Sequence, residues 1–196
     1  MRPVFLCCAL SAWFFLFPQQ SDIWRNVNPD GVGTDLRAAS LAPRQIAAIQ
    51  KALAVRVKLD SAPCAEGFEP DWTEKVTFGE LPISTARQSI LVQAGPGCAR
   101  GGQGANGAMW VVQFKGDKLA FLATPQHEFF GWLYSVQPTT SHGLRDLVLG
   151  WHMHAGRDGF TLSYFRFDGA LYRRIGAAHI VVDDNNVTRI VPDSAS

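Results

Sequence analysis

Beyond Leu59 the apolar residues stop recurring at helical spacing and come in short runs rich in β-branched and aromatic side chains. These runs lie around Trp72–Phe78, Ser89–Ala94, Ala108–Phe114, Leu119–Ala123, Phe129–Val136, Asp146–His152, Phe160–Phe167, Leu171–Ile175 and His179–Val182. Gly, Pro, Asn and Asp separate them, which is the punctuation of strands and turns. Lys115-Gly116-Asp117-Lys118 and Asp168-Gly169 each close a hairpin by their turn chemistry. One stretch ahead of the strands is helical: Ile46, Ile49, Leu53 and Val57 share a stripe, and Gln45, Lys51, Arg56 and Lys58 fall largely off it. Pro43 suits its first turn, with Ser40 or Thr34 as a cap. The expected fold is therefore α+β, with one N-terminal amphipathic helix (about Pro43–Val57) packed on a mainly antiparallel β-meander. Ile90–Leu122 and Leu147–Ile175 each run strand, glycine loop, strand, tight turn, strand. That order reads either as a duplicated three-strand unit or as ordinary self-similarity among short strands.

The opening of the chain constrains where it goes. Arg2 precedes Val4–Phe17, an apolar run interrupted only by Ser11, and Pro18–Asp22 turns polar. The run is shorter than the roughly 20 residues that a membrane-crossing helix needs, and it fits the core of a secretory signal peptide. The expected organisation is a signal peptide over 1–21, a flexible lead-in over 22–39, and a single α+β domain over 40–196. No A-x-A cleavage site precedes Asp22, so an uncleaved anchor is the other reading of the same run. The expected location is secreted or periplasmic, with no membrane contact once the leader is cleaved. There only Cys64 and Cys98 remain, and an even pair in an oxidising compartment is expected to form a disulfide. Closing that loop stabilises by about 3–4 kcal/mol on chain-entropy grounds.

Charge excludes one large class of partner. Lys+Arg 18 against Asp+Glu 17 leaves +1, too weak a field for a general nucleic-acid binder. Gly102-Gln103-Gly104-Ala105-Asn106-Gly107 has the spacing of a dinucleotide fingerprint. Such a site needs a helix to begin there, and Met109–Val112 reads as a strand, so no cofactor is assigned.

Arg145-Asp146-Leu147-Val148-Leu149, followed by Tyr164-Phe165-Arg166-Phe167-Asp168-Gly169-Ala170-Leu171-Tyr172, resembles a pattern in small exported bacterial proteins of uncharacterised activity. It is also similar to the D-L-V and aromatic-x-aromatic-D-G pattern of FG-GAP-type β-repeats. The resemblance is confined to residues 145–172 and implies a secreted β-rich domain. The aspartate cluster that binds calcium in FG-GAP repeats is missing, so calcium is not carried over.

Catalytic patterns are sparse. His152-Met153-His154 would put two imidazoles on one strand face, and His127 or His142 could complete a zinc or copper site. No H-E-x-x-H or G-x-S-x-G is present. The aromatic residues are the strongest remaining feature. Phe129–Tyr134 cannot all point into one buried face, so either both faces are covered, one by the helix, or an aromatic patch is exposed. The expected function is a non-catalytic binding or interaction protein of the cell envelope, with an inhibitor of a cell-wall enzyme as one concrete form. Its partner would be a protein or a glycan, met by a strand edge, by the glycine loop with Arg100 and Asn106, or by Trp132 and Trp151. A metal-dependent hydrolase built on His152 and His154 and a structural envelope protein are the alternatives.

Overall fold

A computed structural model describes residues 20–59, 72–94, 107–152 and 160–193. Helices α1 (Gln20–Ile23) and α2 (Pro43–Leu59) precede β1 (Thr77–Glu80), β2 (Ser89–Gln93), β3 (Gly107–Lys115), β4 (Lys118–Ala123), β5 (Phe130–Ser141), β6 (Leu144–Trp151), β7 (Thr161–Phe167), β8 (Tyr172–Val182) and β9 (Thr188–Pro192). The α+β reading holds: among the described residues nine strands form one antiparallel sheet, ordered β1-β2-β3-β5-β6-β7-β8-β9, with β4 also on β3. The helix runs two residues beyond Val57. Neither Ser40 nor Thr34 caps it: the Ile46 amide donates to the Ala42 carbonyl, and the Gln45 side chain accepts from the Ala42 amide.

Strand β3 divides its second edge. Val111–Lys115 pair with β4, whereas Gly107 and Ala108 pair with Gly131 and Phe130 of β5. At that junction the sheet folds into two halves whose inner faces meet around Leu91, Met109, Val111, Leu133, Leu149 and Phe165. Both outer faces are covered. Ile49, Leu53 and Val57 of α2 pack on Ile90, Val92, Trp110 and Val112 of the first half, each burial worth about 1.5–3 kcal/mol. Trp24 and Val27 pack on Tyr134, Val148, Leu162, Tyr164 and Ala178 of the second. The Phe129–Tyr134 stretch thus has cover on both faces, the first of its two expected outcomes, with Phe130 and Trp132 half-buried.

Several boundaries differ from expectation. Trp72–Lys75 is a 3-10 turn and the strand starts at Thr77, because Trp72 lies beneath α2, beside Trp110 at 6.3 Å. Leu171–Ile175 and His179–Val182 belong to one strand, β8, and β9 was not foreseen, its exposures alternating weakly. The lead-in over 22–39 is held at both ends. Tyr134 Oη donates to the carbonyl of Asn28 at 2.6 Å, the Thr34 amide donates to Leu133, and Ala39 and Glu80 bond across to Phe78 and Arg37. This strap crosses between the halves with Leu36 against the inner core. The two expected three-strand series, β2-β3-β4 and β6-β7-β8, are both antiparallel meanders. Cys64 and Cys98 lie outside the described residues, as does the chain before Gln20.

Candidate binding site

The inner face opens at the end where β6 finishes and β7 begins. Leu149, Trp151, Thr161 and Ser163 line a recess of about 360 Å³ there, with Phe130, Glu128 and Arg174 around it. Constrained backbone builds it. Glu128 caps the 3-10 turn Pro125–His127 in the left-handed region, at φ 63, and its amide donates to the Pro125 carbonyl. A non-glycine residue there carries strain of about 1–2 kcal/mol, and the outcome is a carboxylate aimed at Arg174, whose Nε donates to Oε2 at 2.9 Å. Gly131 has φ +102, and a Cβ there would collide with the carbonyl oxygen of Gly150. The two glycines let β5 and β6 approach closely, which sets Phe130 edge-on to Trp151 at 6.0 Å. Trp151 keeps 36% of its surface exposed.

The sequence-based candidates divide around this recess. Trp151 lines it. Trp132 does not: its ring lies over Gly150, His152 packs on it at 4.5 Å, and Phe160 adds an edge at 5.4 Å. Trp132 also borders a larger groove of about 570 Å³ beneath the strap, whose other walls include Thr34, Asp35, Thr77 and Gln93. That groove is bounded by the bonds that fasten the strap to β5 and β1, so its walls have a structural duty. Arg100, Asn106 and His154 lie outside the described residues.

The described histidines do not converge. His152 is spent against Trp132. Nδ1 of His127 is 3.2 Å from Thr124 Oγ1, and His142 sits in the β5–β6 turn beside Phe167. Among the described residues no group of three His, Cys, Asp or Glu side chains is placed to hold a metal ion.

The most enclosed charged group has a different duty. Asp146 is fully buried, and its Oδ2 accepts from Thr139 Oγ1 (2.9 Å), Tyr164 Oη (3.3 Å) and both Nε and Nη2 of Arg166 (3.2 and 3.0 Å). Four donors on this one carboxylate oxygen hold strands β5, β6 and β7 together, while Oδ1 is buried without a hydrogen-bond partner. Burial pushes the Tyr164 phenol above its ordinary value, and that of Tyr172 further still.

Glu128, Arg174 and the hydroxyls of Thr161 and Ser163 escaped the sequence reading, and Phe130 entered it only within the Phe129–Tyr134 stretch. The only signal for them was the His127-Glu128 dipeptide before a double aromatic, which reads equally well as a strand end. Comparison with known proteins finds no family model, curated protein or solved structure that matches the chain. Among the described residues no helix is long and apolar enough to cross a membrane.

Proposed function

We propose that the chain is an exported, non-catalytic binding protein of the cell envelope, whose ligand seats in the Trp151 recess. The observation that carries this is a pocket with an exposed indole and an apolar floor, rimmed by the Arg174–Glu128 pair. Large apolar surface left open beside a few fixed polar groups is how small-ligand and partner sites are built. Export rests on the apolar run Val4–Phe17, and with it the Cys64–Cys98 bridge. In this reading the two meanders are a duplicated unit whose copies received different outer covers.

The test is retention. Immobilised wild-type protein and Trp151→Ala are exposed to solubilised envelope material, and the bound fraction is identified by mass spectrometry. A component held by the wild type and at least about tenfold less by the variant is the expected result for an aromatic anchor. Equal retention by both would remove the recess from the function. Thiol titration of the unfolded protein, expected to find no free thiol at Cys64 or Cys98, checks the compartment.

A further inference from the structure

The recess is one end of a longer surface. Across β6, β7, β8 and β9 the register aligns Trp151 with Thr161, Thr161 with His179, and His179 with Val191. Directly paired residues share a sheet face, and Thr161 Oγ1 stands 3.4 Å from His179 Nδ1 on this one. The row therefore forms a shelf on the inner face, beginning at the recess and ending at the outermost strand. It spans three strand spacings of about 4.8 Å, on the order of 14 Å. Toward the core the same face closes over Phe165, which is fully buried, whereas Val191 at the shelf's end is 48% exposed.

The chemistry of the shelf selects an occupant. At one end is an indole with free surface, and along the row come hydroxyl and imidazole groups. Its polar groups come in contacting pairs: Arg174 with Glu128 at 2.9 Å, and His179 Nε2 with Asp193 Oδ1 at 3.1 Å. Arg174 is offset by Glu128 and Asp193 adds a second carboxylate, so these groups hold no excess of positive charge for a phosphate or a sulfate. Planar polar groups set in pairs present donors and acceptors side by side, and an aromatic face takes an apolar C–H surface. A ligand with alternating C–H faces and hydroxyl edges meets both.

The edge of β9 argues against an added peptide strand. Its ladder to β8 uses the backbone of Val187 and Asp193, bonded to Asp183 and Ala177. By alternation the outward positions are Thr188, Ile190 and Pro192, and proline has no amide to donate.

We propose that this shelf binds a neutral, unbranched oligosaccharide laid across β6 to β9, with one sugar ring on Trp151. The proposal rests on the binding reading above and names its ligand.

The experiment titrates the full-length protein with mono- to hexasaccharides of the maltose, cellobiose and chitobiose series, following tryptophan fluorescence and calorimetry. Affinity is expected to rise with chain length by about tenfold or more and then level off once the shelf is filled. Trp151→Ala is expected to lower affinity at every length by at least about tenfold. His179→Ala is expected to weaken only the longer chains, and unchanged melting profiles show that both variants fold.

Each other outcome overturns the proposal. Affinity independent of length removes the shelf, and absence of saturable binding by any series removes the oligosaccharide. If envelope material is still retained through Trp151 while none of the saccharides competes, or if the retained species is a polypeptide, the glycan inference fails and the binding reading stands. If Trp151→Ala alters neither retention nor titration, both fail.

Discussion

The two halves of the sheet bury their outer faces by different means. The first lies under the 17-residue helix α2, where Ile49, Leu53 and Val57 contribute an apolar stripe to an apolar layer. The second is covered by a few residues after α1, chiefly Trp24 and Val27, beside the Asp146–Arg166–Tyr164 cluster. On that second face Trp24 Nε1, Gln137 Oε1 and Asp146 Oδ1 are buried without a hydrogen-bond partner. Each such atom costs about 1–3 kcal/mol of desolvation. A long periodic element satisfies its own backbone and leaves only side chains to match. A short strap has to fit a polar surface piece by piece, and it fits less completely.

Breaking the joint between the halves should have the largest effect. Gly131→Ala puts a methyl group against the Gly150 carbonyl at a backbone angle that alanine resists. A loss of about 3 kcal/mol or more is expected in urea unfolding. Next come the covers themselves. Leu53→Ala should cost about 3–4 kcal/mol, near the middle of the range for a fully buried leucine. Trp24→Ala should cost less, about 2–3 kcal/mol, although its side chain is larger, because it also removes an unpartnered donor. Equal or reversed losses would show that the strap fits as well as the helix.

The polar cluster gives a further contrast. Arg166→Met leaves Asp146 buried with only neutral donors, and about 2–3 kcal/mol is expected once the partial solvent exposure of Arg166 is allowed for. Differential calorimetry on the variant would measure it. At the open end of the second half, Trp151→Ala should change stability by less than about 1 kcal/mol while lowering ligand retention at least about tenfold. A large stability loss there would mean that the indole is core and not platform.

The smallest effect is electrostatic and lies in the β7–β8 turn. Asp168 accepts from the amides of Leu171 and Ala170 and from Arg173, which together hold its carboxyl down from 3.8 to about 2. Its contribution is complete above the ordinary aspartate range and disappears as pH falls through about 2. Between those limits the melting temperature of the wild type should fall more steeply than that of Asp168→Asn. Parallel curves would show that the turn gains nothing from the charge.

The candidate site was less legible than the fold. Trp151 stood out as a large aromatic on a strand, but so did Trp132, and composition could not tell them apart. Their difference depends on Gly150, which lets the Trp132 ring lie flat on the sheet while its neighbour Trp151 points to the other face. Glu128 and Arg174 are 46 residues apart in the sequence, and only the curl that brings the turn before β5 against β8 makes them partners. His179 carried only the signal of a strand, since its place as third in a row that crosses four strands is set by register.

What the amino-acid order by itself determined is the local grammar: the α2 stripe, most of the strands and the tight turns at Gly116-Asp117 and Asp168-Gly169. These follow from periodicity and dihedral preference within a few residues. Tertiary structure alone decided how β3 splits its edge, which tryptophan is covered, and that Trp24 serves as core. Those outcomes depend on which faces meet across the whole chain, and burial is a property of the partner surface as much as of the residue.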